Sequence, residues 1–397
     1  MYNTDVFINE LLTVVVPVYN TAQYLEKCIN SIIYQKYNKL DIILINDGST
    51  DDSGKFCDEF SNKDDRIRVI HINNNGPVAA RNLGVQLAYG KLITFVDSDD
   101  WIEPDMYFCM MAAYAEYNPD MITSGLTIET PKNVIYEIDK IPPGLYECED
   151  INDKIIPCMM YDMQTKQRAI TPSMSNKIYK VELLKKVCAD LDENIVLGDD
   201  AAITYIFITK ATKIMILDRS WYHYVARSNS LTQNNNIDSF QKIYKFYHYM
   251  RKKFLEFGIW SQTETQVKAY TKIFLFWAIK SVFDILPERP KYLFPFELIE
   301  KDSSVVIYGG GNVGASYEEN LIKSRYAKLH GWVDQNYTNL MTEDHIIQSP
   351  DILRDMEFDY VVIAVKNEKT VLEIKENLKE LGINEQKVVW KSPICLE

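Results

Sequence analysis

Asp97-Ser98-Asp99-Asp100 sets two carboxylates, Asp97 and Asp99, two residues apart at the end of an apolar run. Side chains alternate along an extended chain, so both can face one side. Such a pair suits Mg²⁺ or Mn²⁺, which prefer hard oxygen ligands and complete their shells with phosphate oxygens and water. A cation held there would neutralise a departing diphosphate. The same residues, running into Trp101 and Glu103-Pro104, also fit an Asp-rich turn and helix N-cap. A second polar run, Asn46 to Ser53, offers Asp47 as an acceptor for a nucleotide base or ribose, while Ser49 and Asp52 also stand at capping-box spacing. Arg81, four residues after Pro77, is either a surface arginine or, turned inward, a local positive charge for an anion.

The elements around these clusters determine whether they meet. Leu11 to Val18, Leu40 to Ile45, Arg68 to Ile72 and Leu92 to Val96 read as buried strands, with helices near 21–36, 52–61 and 77–89 between them. Strands separated by helices predict a parallel sheet whose ligands gather beyond the carboxyl ends of the strands. Tyr19-Asn20, Asn46 to Thr50, Asn73 to Gly76 and Asp97 to Asp100 all fall there. Residues 101–235 are expected to complete this α/β unit, with helices near 104–117 and 199–210. A helical linker is expected over 236–300, where Asp238 to Leu286 interleaves Lys242, Lys245, Arg251, Lys252 and Lys253 with aromatic residues. This stretch reads as a helix packed between domains, or as a peripheral contact with an anionic membrane surface.

A second βα alternation starts at Ser304, so residues 301–397 are expected to form a small Rossmann-like module. Gly309, Gly311 and Gly314 satisfy G-x-G-x-x-G after an apolar run, and Asp334 closes the next one. The glycines would let a phosphate reach a helix N-terminus and the acid would accept a ribose hydroxyl. A nucleotide or dinucleotide is the candidate ligand, with a purely structural role as the alternative.

The chain has 397 residues, 47% of them hydrophobic, which excludes a disordered or low-complexity protein. Carboxylates outnumber Lys plus Arg by 56 to 43, for a formal net charge of −13, which speaks against a nucleic-acid binder. Seven scattered cysteines without a CxxC pair read as reduced thiols, and the first residues lack the pattern of a signal peptide. The expectation is a cytoplasmic protein, at most peripheral to the membrane. Oligomeric state is not legible.

Val14 to Asn20, Ile45 to Thr50, Gly76 to Gly84 and Phe95 to Asp100, in that order, resemble the inverting family 2 glycosyltransferases of GT-A fold. Asn176 to Tyr179 is similar to that family's acceptor-side segment, Gly198-Asp199-Asp200 to its Gly-Glu-Asp, and Tyr222 to Ser230 to its closing donor loop. The resemblance covers about residues 10–235, with Asp199 in place of the usual Glu and no Trp before the acceptor segment. It implies that Pro17, Tyr19 and Asp47 hold the base, Asp97 the ribose and Asp99 the metal on the diphosphate, with Asp200 as general base. Arg227 would contact the diphosphate. His223 is a candidate metal ligand, or a packed histidine between two tyrosines. Acids at a helix N-terminus, favoured by the dipole, are the alternative for Asp199 and Asp200. The implied activity is metal-dependent inverting transfer from a nucleotide sugar, a UDP-sugar foremost, to a glycan or lipid-linked acceptor in cell-surface polysaccharide synthesis. The competing readings are a nicotinamide-dependent oxidoreductase or epimerase led by the C-terminal glycines, and a non-catalytic binding scaffold.

Overall fold

The structure, a computed structural model, describes residues 9–130, 134–192, 195–226, 238–283, 291–337 and 346–396. The chain divides into two compact units, Met1–Ile285 and Leu286–Glu397. In the first, β1 (Leu12–Val18), α1 (Ala22–Ile33), β2 (Leu40–Asp47), α2 (Ser53–Ser61), β3 (Ile67–Ile72), α3 (Pro77–Leu87) and β4 (Leu92–Phe95) alternate as expected. β1 pairs in parallel with both β2 and β4, and β2 with β3. Strand β2 runs two residues past the expected end, because Asn46 and Asp47 stay in register with His71 and Ile72 of β3.

Strands β1, β2 and β4 are largely apolar on both faces, and both faces are covered. Val15, Ile43, Ile45, Ile93 and Phe95 enter one core, while Val14, Val16, Ile42, Leu44 and Leu92 enter another. Continuous Val/Ile/Leu runs are what a sheet buried on both sides requires.

Next come β5 (Trp101–Ile102), α4 (Met106–Tyr117), β6 (Met121–Thr123), β7 (Leu126–Glu129), β8 (Val134–Glu137), β9 (Gly144–Glu147) and the one-turn α5 (Cys148–Asp150). They are followed by β10 (Lys177–Lys180), α6 (Val181–Ala189), α7 (Asp199–Lys210), β11 (Lys213–Ile216) and β12 (Tyr222–Val225). The main sheet has eight strands in the order β3-β2-β1-β4-β10-β6-β11-β9, and β10 lies antiparallel to both β4 and β6. A second sheet orders β5-β12-β7-β8. The result is a mixed, mainly parallel α/β architecture.

The segment expected as a linker divides between the units. It forms α8 (Asp238–Glu256) and α9 (Trp260–Phe283) in the first, whereas Lys291 opens β13 (Lys291–Leu293) in the second. One continuous helix is interrupted at residues 257–259, where the Gly258 and Ile259 N–H groups turn back onto the Leu255 and Phe254 carbonyls and close α8. Phe246, Tyr249 and Phe254 of α8 pack inward with Val267, Tyr270 and Phe274 of α9, leaving Lys242, Arg251 and Lys252 outside. Among the described residues no helix is long and apolar enough to cross a membrane.

The second unit continues with β14 (Ser304–Tyr308), α10 (Asn312–Ser324), β15 (Lys328–Val333), β16 (Tyr360–Ile363), α11 (Glu368–Glu380), β17 (Val388–Val389) and β18 (Ile394–Leu396). Four strands form a parallel sheet in the order β15-β14-β16-β17, and β13 pairs antiparallel with β18.

Candidate active site

The Arg81 guanidinium, almost fully buried on α3, organises the carboxyl edge of the main sheet. Nη2 donates to Asp97 Oδ1 at 2.8 Å, while Nη1 lies 3.3 Å from Asp199 Oδ2 and 3.4 Å from Asp200 Oδ1. One cation thus faces three carboxylates from the end of β4 and the start of α7. Burial raises the Asp199 and Asp200 carboxyls, Asp199 to about 7, and Arg81 opposes the rise in both. Asp200 Oδ1 is buried and has no hydrogen-bond partner.

Gly198 sets the start of α7. Its φ of +78° belongs to the left-handed region, and a Cβ there would lie 2.8 Å from the Phe246 ring. Glycine therefore lets α7 begin against α8 and aim its first two acids at Arg81.

Three further residues tie the acidic turn in place. Tyr222 of β12 accepts the Asp97 N–H at 3.1 Å and donates to Asp100 Oδ2 at 2.7 Å, while the Val225 N–H meets Asp100 Oδ1 at 2.9 Å. Ser175 Oγ donates to Asp97 Oδ2 at 3.2 Å. Asp100 is 2% exposed, and its carboxyl is pushed well up by burial and by Asp97 and Asp99. Sequence reasoning does not single out Ser175, Asp100 or Tyr222 as site residues. The third Asp of the turn is the available signal for Asp100; nothing local marks Ser175.

Asp47 is buried with both oxygens occupied, accepting the N–H groups of Asn75 and Gly76 at 2.8 Å each. It clasps the loop that leads into Arg81's helix. Half-buried Pro17 and exposed Tyr19 stand at the end of β1, beside Asp47's strand β2 in the sheet order. Arg227 lies outside the described residues.

His223 stacks on Trp101 at 3.6 Å, with Nδ1 2.8 Å from Glu129 Oε1 and Nε2 3.2 Å from Glu103 Oε1. Both ring nitrogens face carboxylates, the packed arrangement weighed beside metal ligation. Among the described residues no cluster of three or more His, Cys, Asp or Glu is gathered for a metal. Asp99 is half-buried on the turn between Asp97 and Asp100, and its carboxylate is the type of hard oxygen that Mg²⁺ or Mn²⁺ prefers.

In the second unit Gly309, Gly310 and Gly311 connect β14 to α10. Asp334 follows β15, and its Oδ2 accepts the Gly310 N–H at 2.7 Å while Oδ1 accepts the Asn336 N–H. The acid thus fastens the glycine loop. A Cβ on Gly311 would meet nothing within 4 Å, whereas one on Gly314 would lie 2.0 Å from the Gly309 carbonyl oxygen, so Gly314 allows α10 to sit on β14.

The family model described as "Glycosyl transferase family 2" matches residues 13–188, and one described as "C2185-like, N-terminal" matches residues 301–389. Glycosyltransferase GlyG of Streptococcus pneumoniae serotype 4 is 31% identical over 229 residues, 56% of this chain and 73% of that protein. Glycosyltransferase GlyA of the same organism is 34% identical over 226 residues, 57% of this chain but 32% of the relative, so the chain spans about a third of GlyA. S. aureus TarS 1-349 in complex with UDP-GlcNAc shares the fold at a TM-score of 0.50 and 22% identity, over 69% of this chain and 74% of that one. With the acidic turn of β4, the paired acids of α7 and the matched first unit, the chain belongs to glycosyl transferase family 2.

Proposed function

We propose that the first unit is an inverting, metal-dependent glycosyltransferase that moves a sugar from a nucleotide sugar to a hydroxyl of a glycan or lipid-linked acceptor. The observation that carries this reading is Asp200, a partly exposed carboxyl of raised proton affinity, paired with Arg81 at 3.4 Å at the edge where four strand ends converge. A carboxyl raised from its ordinary range is a better proton acceptor near neutral pH. The Asp200 carboxylate, 29% exposed, takes the proton of the acceptor hydroxyl as the hydroxyl oxygen attacks the anomeric carbon, and the nucleoside diphosphate leaves from the opposite face. Asp97, steadied by Arg81 and Ser175, is read as the ribose contact and Asp99 as the metal ligand. A divalent cation, when bound, supplies neutralisation of the leaving diphosphate. Pro17 and Tyr19 are read as walls of the base site. For Asp47 the direct contact to the base is a weaker reading than the clasp on Asn75 and Gly76, which shapes the same wall.

For the second unit the reading is a Rossmann-like module, supported by its parallel sheet and by the glycine turn into α10. With both Asp334 oxygens engaged by backbone N–H groups, the acid supports loop closure more directly than ribose binding.

UDP-GlcNAc, bound by S. aureus TarS, is the first donor to test. Nucleoside diphosphate release is measured across a panel of UDP-, GDP- and dTDP-sugars with Mn²⁺, with a chelator, and with Asp99→Ala. The proposal expects release from one donor class that needs the cation and falls at least tenfold in the variant. Indifference to every donor and to metal would refute it.

A further inference from the structure

Residues 170–176, just before β10, form no regular helix or strand, yet they supply two groups of the site. Ser175 Oγ reaches Asp97, and the backbone N–H of Met174 faces Asp200. A loop in that position must be held by something, since its backbone groups have no ladder to join.

Four successive carbonyls are taken by side chains. Tyr205 donates to Ile170 at 2.9 Å and Thr204 to Pro172 at 2.9 Å, both from α7, the helix that begins with Asp199 and Asp200. The other two belong to Lys177: its Nζ donates to the Thr171 carbonyl at 2.7 Å, the Ser173 carbonyl at 2.8 Å and Asn176 Oδ1 at 2.8 Å. From the other side the buried Asp139 accepts the Thr171 N–H at 2.7 Å and is itself held by Thr123 Oγ1 at 2.7 Å. Lys177 is fully buried, so it cannot itself meet an acceptor sugar, although it lies in the segment similar to the family's acceptor side. An ammonium has three N–H donors, and all three are used here.

We propose that Lys177 is a positioning residue: its buried ammonium, opposite Asp139, locks residues 171–176 so that Met174 and Ser175 hold Asp200 and Asp97 in their working geometry. This rests on the reading of Asp200 as the base. Burial draws the Lys177 amine down to about 8, against the pull of Asp139, Asp200 and Glu137, the charged groups around it. Tyr179 and Tyr205, packed on the same segment, are pushed well above 10 by burial and stay neutral through that range. Above pH 8 the neutral amine has two donors for three acceptors, and the lock loosens.

The test uses the full chain, Mg²⁺ and the donor giving the fastest nucleoside diphosphate release in the panel above. Lys177→Met is expected to lower kcat at least tenfold, with a smaller loss of donor affinity through the slackened Ser175–Asp97 contact. Lys177→Arg, which keeps a cation, is expected to recover part of the rate. The wild-type kcat should fall between pH 8 and 10 by more than the donor KM rises, and that limb should be missing in Lys177→Arg. If Lys177→Met does not fold, these two profiles decide. A wild-type kcat flat from pH 7 to 10 overturns the proposal, and so does a Lys177→Met enzyme with unchanged kcat or with rate and donor affinity lost in equal proportion. Asp200→Asn is run alongside: turnover there removes the base reading, whereas a dead Asp200→Asn beside a fully active Lys177→Met removes only the lock.

Discussion

Asp199→Asn isolates the electrostatic cost of gathering three carboxylates on one arginine. Asp199 has 16% of its side chain exposed and its carboxyl is raised from 3.8 to about 7, chiefly by burial and then by Asp200. A carboxyl raised on folding binds its proton more tightly in the folded state, so its contribution to stability is complete below the unfolded value and is lost as pH rises through the folded one. At about 1.36 kcal/mol for each tenfold gain in proton affinity, the ionised Asp199 costs the fold about 4 kcal/mol at pH 8. At pH 5, where the folded carboxyl is protonated and the unfolded one is mostly ionised, the cost is about 1 to 2 kcal/mol. Asparagine keeps the shape and can still accept from Arg81, but carries no charge. Thermal unfolding at both pH values should therefore show the variant more stable than the wild type, by about 8–16 °C at pH 8 and less than half of that at pH 5. A variant no more stable at pH 8, or one that gains equally at both, would refute the account of Arg81 as an outnumbered counter-charge.

Tyr222→Phe strips the Asp97 N–H of its acceptor and buried Asp100 of a donor, which should cost about 1–3 kcal/mol in urea unfolding. Because the same turn carries Asp99, donor affinity in the presence of Mg²⁺ should weaken with it. Gly314→Val drives a side chain into the Gly309 carbonyl and the Trp332 ring. An overpacked junction of this kind should cost about 1–3 kcal/mol or more, seen as protease cleavage confined to residues 286–397 with the first unit left intact.

Strands β1, β2 and β4 were legible because a sheet buried on both faces is written in nearly unbroken apolar runs, and β3, a half-exposed edge strand, from its β-branched residues; the polar residues that end them mark the ligand edge. The ends of helices were less so: the break between α8 and α9 is marked only by Gly258, whose φ of +72° lets the backbone N–H groups at 258 and 259 turn back onto α8. Within the site, Asp97 and Asp99 could be found from their spacing. The meeting of Arg81 with Asp199 could not, because 118 residues separate them and no periodicity reaches so far. There the family resemblance pointed to the acids, and only the packing of α3 against the start of α7 identifies their common partner. His223 shows the converse. As a lone histidine it admits both metal ligation and packing, because the groups that face it, Glu129 and Glu103, come from strand β7 and the turn after β5, 94 and 120 residues away. Lys177 likewise reads locally as a polar residue in an acceptor-side motif, and its burial follows from β10 lying inside the eight-stranded sheet.

The central claim is that Asp200 accepts the proton of the acceptor hydroxyl. It is tested most directly by comparing Asp200→Asn with the wild type for turnover and for equilibrium binding of the same nucleotide sugar with Mg²⁺. The account predicts turnover reduced at least a hundredfold, the scale of one lost general base, with donor binding within a few-fold of the wild type. Turnover near the wild-type rate, or turnover and binding lost together, would contradict it.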